Sequence, residues 1–340
     1  MRNRQLQFVG FFLVLAVVLT FSKAPVASSQ GQILSAAYIS GELPVMDLGA
    51  EVWQRSRPLQ IPLSAQQVSR PLALETNTRS VTARAIHNET SMAIMVEWQD
   101  ETQNDANLRI QDFQDMVALQ FPVSEGQPFF CMGQEGGNVE IWLWKAGWQA
   151  DFASYRDMES YYPDIYTDVM DPIGDPIESD DLSTYYPALQ AGNLVANHTR
   201  PSPVEALVAG GFGSLTSLPV DFQNVQGYGE WANGKWRVIF SRNLESSDNT
   251  LASFQSGMSY PVAFAAWDGA YYERNGQKST SQWVSLRLEK PAREGQSQRA
   301  EVSPLPFWKD PDSLSKILAG TVVFLLLLGV VIYFRLPEGN

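Results

Sequence analysis

The sequence is poor in the residues that bind most protein metals. Its 340 residues include a single cysteine, Cys131, and only two histidines, His87 and His198. One cysteine excludes an intramolecular disulfide, a cysteine-ligated zinc or iron–sulfur centre, and haem attachment through C-x-x-C-H. Two histidines leave little material for a histidine-rich metal site. We interpret each histidine as a turn or loop residue whose ring forms hydrogen bonds.

Positive charge is scarce as well. The chain has 24 Lys and Arg against 37 Asp and Glu, which gives a net charge of −13. A nucleic-acid surface needs clustered Lys and Arg to replace counterions, so nucleic acid is excluded as a partner. The sequence also lacks a G-x-S-x-G elbow, a P-loop, a dinucleotide fingerprint and an H-E-x-x-H motif. No residue set in it indicates a catalytic centre.

The first 29 residues have the order of a secretory signal peptide. Arg2 and Arg4 precede an apolar run over 8–21, and small residues follow at 27–29. This is the order of n-region, h-region and cleavage site. The apolar run is shorter than the roughly 20 residues of a membrane span. We predict a signal peptide over 1–29, with an uncleaved N-terminal anchor as the alternative.

A second apolar segment lies near the other end of the chain. Residues 317–334 contain no charge over 18 positions, which predicts one transmembrane helix. Residues 291–312 contain Pro, Ser and Gln and are predicted to be a solvated tether. If the signal exports the N-terminus, the domain over 31–290 lies on the periplasmic side. The prediction is a single-pass protein of the cell membrane with an extracytoplasmic domain.

The domain over 31–290 is rich in strand and turn signals. Aromatic residues make up 11% of the chain, beside 24 Gly and 20 Pro, a mixture that favours short strands joined by turns. Period-two alternation or short apolar runs predict strands at 92–98, 116–121, 139–144, 235–240, 262–267 and 284–288. Asn233-Gly234 is the best hairpin turn signal. No helical period is sustained in the domain, so the predicted fold is an all-β, antiparallel β-sandwich.

One stretch of this domain departs from the strand pattern. Residues 151–181 contain ten acidic residues and one basic residue, Arg156, among several tyrosines. We interpret this stretch as part of an insertion between strands over about 151–202. A calcium site is one interpretation, although Asp171–Pro176 lacks the spacing of an EF-hand loop. A docking surface for a partner and a plain solvated loop are the alternatives.

Five pieces of sequence in fixed order carry a resemblance to a known family. They are Trp53 with PLQIPL at 58–63, AIH at 85–87 with VEWQD at 96–100, FQDMVALQFP at 113–122, PFFCMG at 128–133 with VEIWLWK at 139–145, and PVAFAAWDG at 261–269 with ERNGQKS at 273–279. Together they resemble the haem-binding subunit of the ethylbenzene dehydrogenase and dimethylsulfide dehydrogenase family. Haem subunits of selenate and chlorate reductases, and related subunits of nitrate reductase and nitrite oxidoreductase, belong to the same family. The resemblance covers Trp53 to Leu288.

The resemblance implies a β-sandwich that holds one b-type haem. In the family a methionine and a lysine hold the iron, and by position these are Met132 and Lys278. Without the resemblance, Met132 reads as core packing and Lys278 as a loop lysine. With both axial positions filled by the protein, no site stays open for a substrate. The implied role is therefore that of an electron carrier and not of an enzyme.

The resemblance also implies partners. They are a molybdopterin catalytic subunit and an iron–sulfur subunit. This chain would pass electrons between the iron–sulfur subunit and a membrane or soluble carrier. The C-terminal anchor favours exchange near the membrane, as in nitrite oxidation or nitrate reduction. Two alternatives stay open: a surface-anchored, non-haem β-sandwich module that binds carbohydrate or another ligand, and a structural subunit that has lost its haem.

Overall fold

A computed structural model of the chain describes residues 32–124, 132–165, 187–197, 200–246, 248 and 250–291. They lie in one of the two units into which the chain divides, Gly31–Ala292, and the other unit consists of the two termini. The described residues form fourteen strands: β1 (Ile33–Tyr38), β2 (Leu59–Pro62), β3 (Ser64–Ala65), β4 (Ser80–His87), β5 (Ser91–Gln99), β6 (Met116–Pro122), β7 (Val139–Lys145), β8 (Val204–Ala209), β9 (Thr216–Ser217), β10 (Gln226–Trp231), β11 (Lys235–Asn243), β12 (Ser259–Trp267), β13 (Ser279–Thr280) and β14 (Val284–Leu288).

Helices are few and short in this part of the chain. The α-helices are α1 (Ala146–Ala153) and α2 (Pro187–Gln190), and 3-10 helices occupy Glu51–Arg55, Met158–Ser160, Leu194–Ala196, Val220–Phe222 and Gly269–Tyr271. The prediction of a mostly β domain is confirmed. The sequence pattern did not predict α1, because eight residues are too few to display a helical period.

All six strands predicted from hydrophobic patterning are present as β5, β6, β7, β11, β12 and β14. The hairpin prediction is confirmed too: β10 and β11 pair antiparallel, with Trp231 opposite Trp236. Asn233 and Gly234 have φ values of 54° and 71°. Both values are positive, as a two-residue type I′ turn requires, and asparagine and glycine adopt such values at little cost.

The strands form one mixed sheet in the order β10-β11-β5-β4-β1-β14-β12-β6-β7-β8-β9, while β2 pairs with β4, and β13 with β12 and β3. Most pairs are antiparallel, but β1 runs parallel to both β4 and β14. This corrects the prediction of a purely antiparallel sheet. Local patterning cannot show the direction of pairing, because the partners of β1 lie far along the chain.

Strand β12 connects two halves of the sheet: the first half runs from β10 to β14 in the strand order, and the second half runs from β6 to β9. Its residues Ser259–Val262 pair with β14, and its residues Ala263–Trp267 pair with β6. The halves then pack face to face, since the ring of Trp144 on β7 lies 6.3 Å from Trp98 on β5 and 4.9 Å from Trp236 on β11. This arrangement is consistent with a β-sandwich. The buried side chains between the halves form the main core.

The predictions for the ends and the insertion lie largely outside the described residues. This holds for the signal peptide over 1–29, for the helix over 317–334 and for all but the first residue of the tether. Within the described part of the chain, no helix combines the length and apolar character that crossing a bilayer requires. In the insertion, Asp151 pairs with Arg156 and Arg200 at 3.3 and 3.2 Å. Residues 166–186 of the insertion are not described, so its three interpretations, a calcium site, a docking surface and a solvated loop, stay untested.

Candidate functional site

A cavity of about 750 Å³ lies on the outer face of the second half of the sheet. Its floor consists of outward-facing residues from β6, β7, β8 and β12, whose neighbours along each strand point into the core. These floor residues are Met116, Ala118, Gln120, Ile141, Leu143, Leu207, Ala263, Ala265 and Trp267. Three of them are alanines, which leave space above the sheet. The apolar runs at 116–121, 139–144 and 262–267 are therefore buried on both faces, as their sequences predicted.

Loops form the walls of the cavity. Residues 64–71 and 275–282 line one side, and residues 212–215 line the other. The volume falls within the range of about 300–1,000 Å³ that is usual for small-molecule and cofactor sites. The lining is mostly apolar with a few polar groups, which is also usual for such sites.

The two residues assigned by the resemblance meet in this cavity. The sulfur of Met132 lies 3.8 Å from the amine nitrogen of Lys278, and both side chains line the cavity. The same nitrogen lies 4.8 Å from the centre of the Trp267 ring. The fold thus brings together a soft thioether and a lysine amine in a partly buried, aromatic environment.

The turn that carries Lys278 is fixed by hydrogen bonds from Trp267 and from Gln66. The indole nitrogen of Trp267 donates to the carbonyl of Asn275 at 3.1 Å. The side-chain amide of Gln66 donates to the carbonyl of Gly276 at 2.7 Å, and the backbone N–H of Gln66 donates to the carbonyl of Lys278 at 2.9 Å. The backbone on either side of the lysine is therefore anchored to the floor of the cavity and to the opposite loop.

Met132 is presented by a second anchored turn. Its carbonyl accepts a hydrogen bond of 2.8 Å from the backbone N–H of Gly211. The next residue, Gly133, has φ +73°, and a Cβ atom there would lie 2.7 Å from the carbonyl oxygens of Ala209 and Gly137. Only glycine fits this position, so the backbone path beside Met132 requires Gly133.

A buried ion pair at the cavity edge was not predicted from the sequence. The amine of Lys145 pairs with the carboxylate of Glu205 and lies 3.9 Å from the centre of the Trp148 ring. Burial lowers the pKa of Lys145, and nearby Arg200 lowers it further, while Glu205 opposes this shift. The sequence offered one signal for Lys145: it continues the alternation of Ile141 and Leu143, so its side chain lies on the same face of the strand as theirs.

One buried polar atom in the cavity floor has no partner. The side-chain nitrogen of Gln120 is buried without a hydrogen-bond acceptor, and Gln120 is only 8% exposed. Leaving a buried donor unpaired costs about 1–3 kcal/mol. A ligand that carries an oxygen acceptor above the floor would remove this cost. The observation therefore points to a bound molecule.

His87 does not line the cavity. His87 is fully buried at the end of β4, and its ring nitrogens lie 2.9 and 2.7 Å from the carbonyls of Asn88 and Glu289. The hydrogen-bonding role predicted for His87 is confirmed. His198 and Cys131 lie outside the described residues.

The cavity residues fit a haem. Met132 and Lys278 would hold the iron, because their donor atoms already lie 3.8 Å apart and both side chains line the cavity. Met and Lys are two donors without a role in most metal sites, but thioether ligation of haem iron is established chemistry. The alanine-lined floor and the unpaired amide of Gln120 are compatible with a wide, flat ligand that carries oxygen atoms.

The fold and the cavity define a mostly β protein with a cofactor-sized cavity on one face of its sheet. The chain belongs to the ethylbenzene dehydrogenase family, whose model matches residues 50–170 and 209–279. Both Met132 and Lys278 lie within the matched ranges. The unmatched residues between the two ranges overlap the predicted insertion over 151–202.

Three relatives share sequence with this chain. A proposed respiratory nitrate reductase heme subunit (ORF7) of Haloferax mediterranei is 23% identical over 235 residues, 69% of this chain and 65% of the relative. The dimethylsulfide dehydrogenase subunit gamma of Rhodovulum sulfidophilum is 38% identical over 121 residues, 33% and 44% of the two chains. The chlorate reductase subunit gamma of Ideonella dechloratans is 25% identical over 244 residues, 70% and 78%. The match spans less than two thirds of the first two relatives.

Among solved structures, a family 9 carbohydrate-binding module from Caldicellulosiruptor kristjanssonii in complex with cellotriose aligns with a TM-score of 0.37. The sequence identity is 7%, and the alignment covers 78% of this chain and 97% of the module. A score this low carries no argument about ligand or function. The alternative of a carbohydrate-binding module therefore gains no support from it.

Proposed function

We propose that this chain is an electron-transfer subunit that binds one b-type haem, with Met132 and Lys278 as the axial ligands. The observation that supports this most is the distance of 3.8 Å between the sulfur and the amine nitrogen inside a cavity of about 750 Å³. The residues come from two turns that are remote in sequence and are anchored independently. The heme subunit among the relatives supports the same role.

The properties of the two side chains suit an electron carrier. When bound, the haem supplies a centre that changes oxidation state by one electron. The thioether of Met132 favours the reduced, softer metal and raises the potential. Lysine binds a metal only as the free amine, and with an ordinary pKa near 10.4 the loss of its proton at neutral pH costs about 4–5 kcal/mol. The metal bond and the apolar surroundings must offset that cost. Two protein ligands leave no open coordination position, so the chain is not itself an enzyme.

The test is the reduced-minus-oxidised spectrum of the full chain in detergent, purified from cells supplied with haem. We expect a sharp low-spin α band in the wild type. Met132→Leu and Lys278→Gln should weaken and shift this band, because each removes one donor atom at nearly constant volume. Met116→Leu, on the cavity floor, and Lys235→Gln, on β11, are the matched controls and should keep it.

A folded, colourless wild-type protein that no supply of haem loads would contradict the proposal. That result would favour a structural subunit or a non-haem ligand-binding module. Equal effects of Met116→Leu and Met132→Leu would contradict the assignment of the sulfur ligand while leaving haem binding in place.

We further propose that the chain works in a complex with a molybdopterin catalytic subunit and an iron–sulfur subunit. Two relatives are gamma subunits of multi-subunit oxidoreductases, dimethylsulfide dehydrogenase and chlorate reductase, and the family resemblance implies these two partners. The substrate we propose for the complex is nitrite or nitrate, because one relative is described as a nitrate reductase subunit. Tagged full-length chain purified from its own membranes should carry molybdenum and non-haem iron in fixed ratio, and their absence would contradict the partnership.

For location, we propose that the domain over 31–290 lies on the periplasmic side, held by a helix over 317–334. The apolar character of that segment and the signal-like order of residues 1–29 support this. A protease added to intact spheroplasts should cleave the domain and leave a small membrane-bound fragment. Cleavage only after the membrane is opened would contradict the proposed orientation.

A further inference from the structure

Three buried aspartates meet at the ends of strands, and none of them lines the cavity of Met132 and Lys278. Asp100 follows β5, Asp115 precedes β6 and Asp268 follows β12. One carboxylate oxygen from each lies within 4.8 Å of the others. The residues are 4%, 0% and 9% exposed, respectively. Sequence alone did not bring them together, because they come from both halves of the sheet.

The hydrogen-bond donors around these carboxylates are neutral. Asp115 accepts hydrogen bonds from the backbone of Asn104 and Gly269 and from the indole of Trp236, at 2.7–2.9 Å. Asp268 accepts one from the backbone of the residue two positions on, and so does Asp100. Within the described part of the chain, no Lys, Arg or His forms an ion pair with any of the three.

One oxygen of the group lacks any hydrogen-bond partner. No donor reaches Oδ2 of Asp100 in hydrogen-bond geometry, although the residue is 96% buried. The indole N–H of Trp98, which acts on this carboxylate, is also left without an acceptor. The other oxygen of Asp100 is occupied by the backbone N–H and hydroxyl of Thr102. Removing a carboxylate oxygen from water without a donor or a cation is costly. This oxygen therefore offers a ligand position that the protein's own donors leave unfilled.

The electrostatics point in the same direction. Burial, together with the charge of Asp100, raises the pKa of Asp115 to about 7 and that of Asp268 to about 6. Burial also raises the pKa of Asp100. Burial is the largest cause of each shift, and repulsion from Asp100 adds to it for Asp115 and Asp268. A cation at their centre would offset both effects.

We propose that Asp100, Asp115 and Asp268 bind a calcium ion. An all-oxygen set without histidine or cysteine selects a hard cation. Bonds of about 2.3–2.6 Å, as calcium forms, require ligand oxygens no more than roughly 5 Å apart, which the spacing of 4.8 Å satisfies. Calcium also accepts further oxygens from backbone carbonyls, amides and water. The ion joins the ends of β5, β6 and β12 and so joins the two halves of the sheet.

The inference does not rest on haem binding, and it is tested on the chain without haem. Full-length protein in detergent is treated with a chelator and titrated with Tb³⁺, whose luminescence the adjacent indole of Trp236 would sensitise. Ca²⁺ should displace Tb³⁺. Ca²⁺ at about 100 times its Kd should raise Tm by roughly 5 °C or more. Asp100→Asn should weaken Tb³⁺ binding at least about tenfold, while Asp221→Asn, on an exposed 3-10 helix, should leave it unchanged.

The stability of the variants separates a calcium site from a cluster that holds only protons. If calcium binds, Asp100→Asn lowers Tm in Ca²⁺ and abolishes the difference between Ca²⁺ and chelator. If only protons bind, Asp100→Asn raises Tm at pH 8, because it removes repulsion, and Ca²⁺ has no effect on either protein. That second outcome, or Tb³⁺ luminescence that survives both Asp100→Asn and Asp115→Asn, overturns the proposal.

Discussion

The sulfur of Met132 lies 3.8 Å from the amine nitrogen of Lys278, although 146 positions separate the two residues in sequence. Neither residue sits on a long strand. Each is carried by a turn at the edge of the cavity, and each turn is anchored by backbone hydrogen bonds to a different part of the chain. The distance between Met132 and Lys278 therefore depends on a few anchoring residues that are remote from them in sequence. Substitution of these residues tests that dependence.

Gln66 should be one such positioning residue. Its buried side chain donates to the carbonyl of Gly276 and accepts hydrogen bonds from the backbone of Val68 and Ser69. Gln66→Ala leaves these groups unpaired, so we expect the free energy of unfolding to fall by about 2–3 kcal/mol. Urea denaturation measures the loss. The haem spectrum should also broaden, because the turn before Lys278 is loosened.

The control for this change is Gln60→Ala. Gln60 is exposed and donates only to the hydroxyl of Ser80, so its loss should cost less than about 0.5 kcal/mol. If Gln66→Ala lowers stability but leaves the position and width of the haem bands as in the wild type, Gln66 is structural and does not position Lys278.

Gly133→Ala tests the turn that carries Met132. The left-handed backbone alone should cost about 1 kcal/mol, and the contacts of 2.7 Å with two carbonyl oxygens should add roughly 1–3 kcal/mol. Gly136→Ala is the matched control, since Gly136 has φ +74° with nothing within 4 Å of a Cβ atom. Gly136→Ala should lose only the contribution of the left-handed backbone, about 1 kcal/mol. Equal losses in thermal and urea denaturation would show that close packing does not govern this turn.

The buried pair of Glu140 and Arg242 should be costly to break. Their side chains are 0% and 1% exposed and lie 2.6 Å apart, and Glu140 also accepts from the indole of Trp142 and the backbone of Ala252. Arg242→Met should cost about 3–5 kcal/mol in urea denaturation, because the carboxylate is left buried without its cation. Adding Glu140→Gln should recover part of the loss.

An exposed pair provides the comparison. Lys235 and Glu97 lie 3.7 Å apart with side chains 37% and 25% exposed, so Lys235→Met should cost at most about 1 kcal/mol. A loss for Arg242→Met no larger than this would mean that water reaches the buried pair.

Stability of the calcium-free protein should depend on pH through Asp115. Its pKa is raised to about 7 by burial and by Asp100, so the folded state binds this proton more tightly than the unfolded state. The stability from this proton is therefore full below pH 4 and is lost as pH rises from about 4 to about 7. In chelator, the wild type should lose roughly 2–4 kcal/mol more than Asp115→Asn between pH 5 and pH 8.

The carboxylates grouped with Asp115 act in the same direction. Asp100 and Asp268 also have raised pKa values, with burial as the largest cause. Subtracting the curve of Asp115→Asn removes contributions from distant groups. Parallel curves for the two proteins would mean that Asp115 titrates normally.

Local sequence predicted much of the fold. Strands β5, β6, β7, β11, β12 and β14 follow from hydrophobic patterning, because burial on one or both faces of a strand leaves a direct trace in the order of residues. The Asn233-Gly234 turn follows from backbone sterics. The parallel pairing of β1 left no such trace, since its partners are chosen by packing and not by neighbours in the chain.

The site was predicted unevenly. Met132 and Lys278 were assigned only through family resemblance, and their contact depends on two turns that the fold brings together. The pair of Lys145 and Glu205 was missed because nothing in the local pattern joins two residues that are 60 positions apart. Asp115 was missed in the same way, since its neighbours Asp100 and Asp268 follow other strands.

The sequence by itself determined the β class of the domain, most of its strands, its best hairpin, and the poverty in cysteine and histidine that excludes most metal centres. These properties depend on composition or on neighbours in the chain, so they can be predicted without knowledge of the fold. Only the tertiary structure decided that the sheet is mixed, that Met132 meets Lys278 across the cavity, and that Asp100 and Asp115 share a buried cluster with Asp268. The physical reason is that burial and distance between remote residues arise when strands from both halves of the sheet pack, and no short segment of sequence encodes that packing.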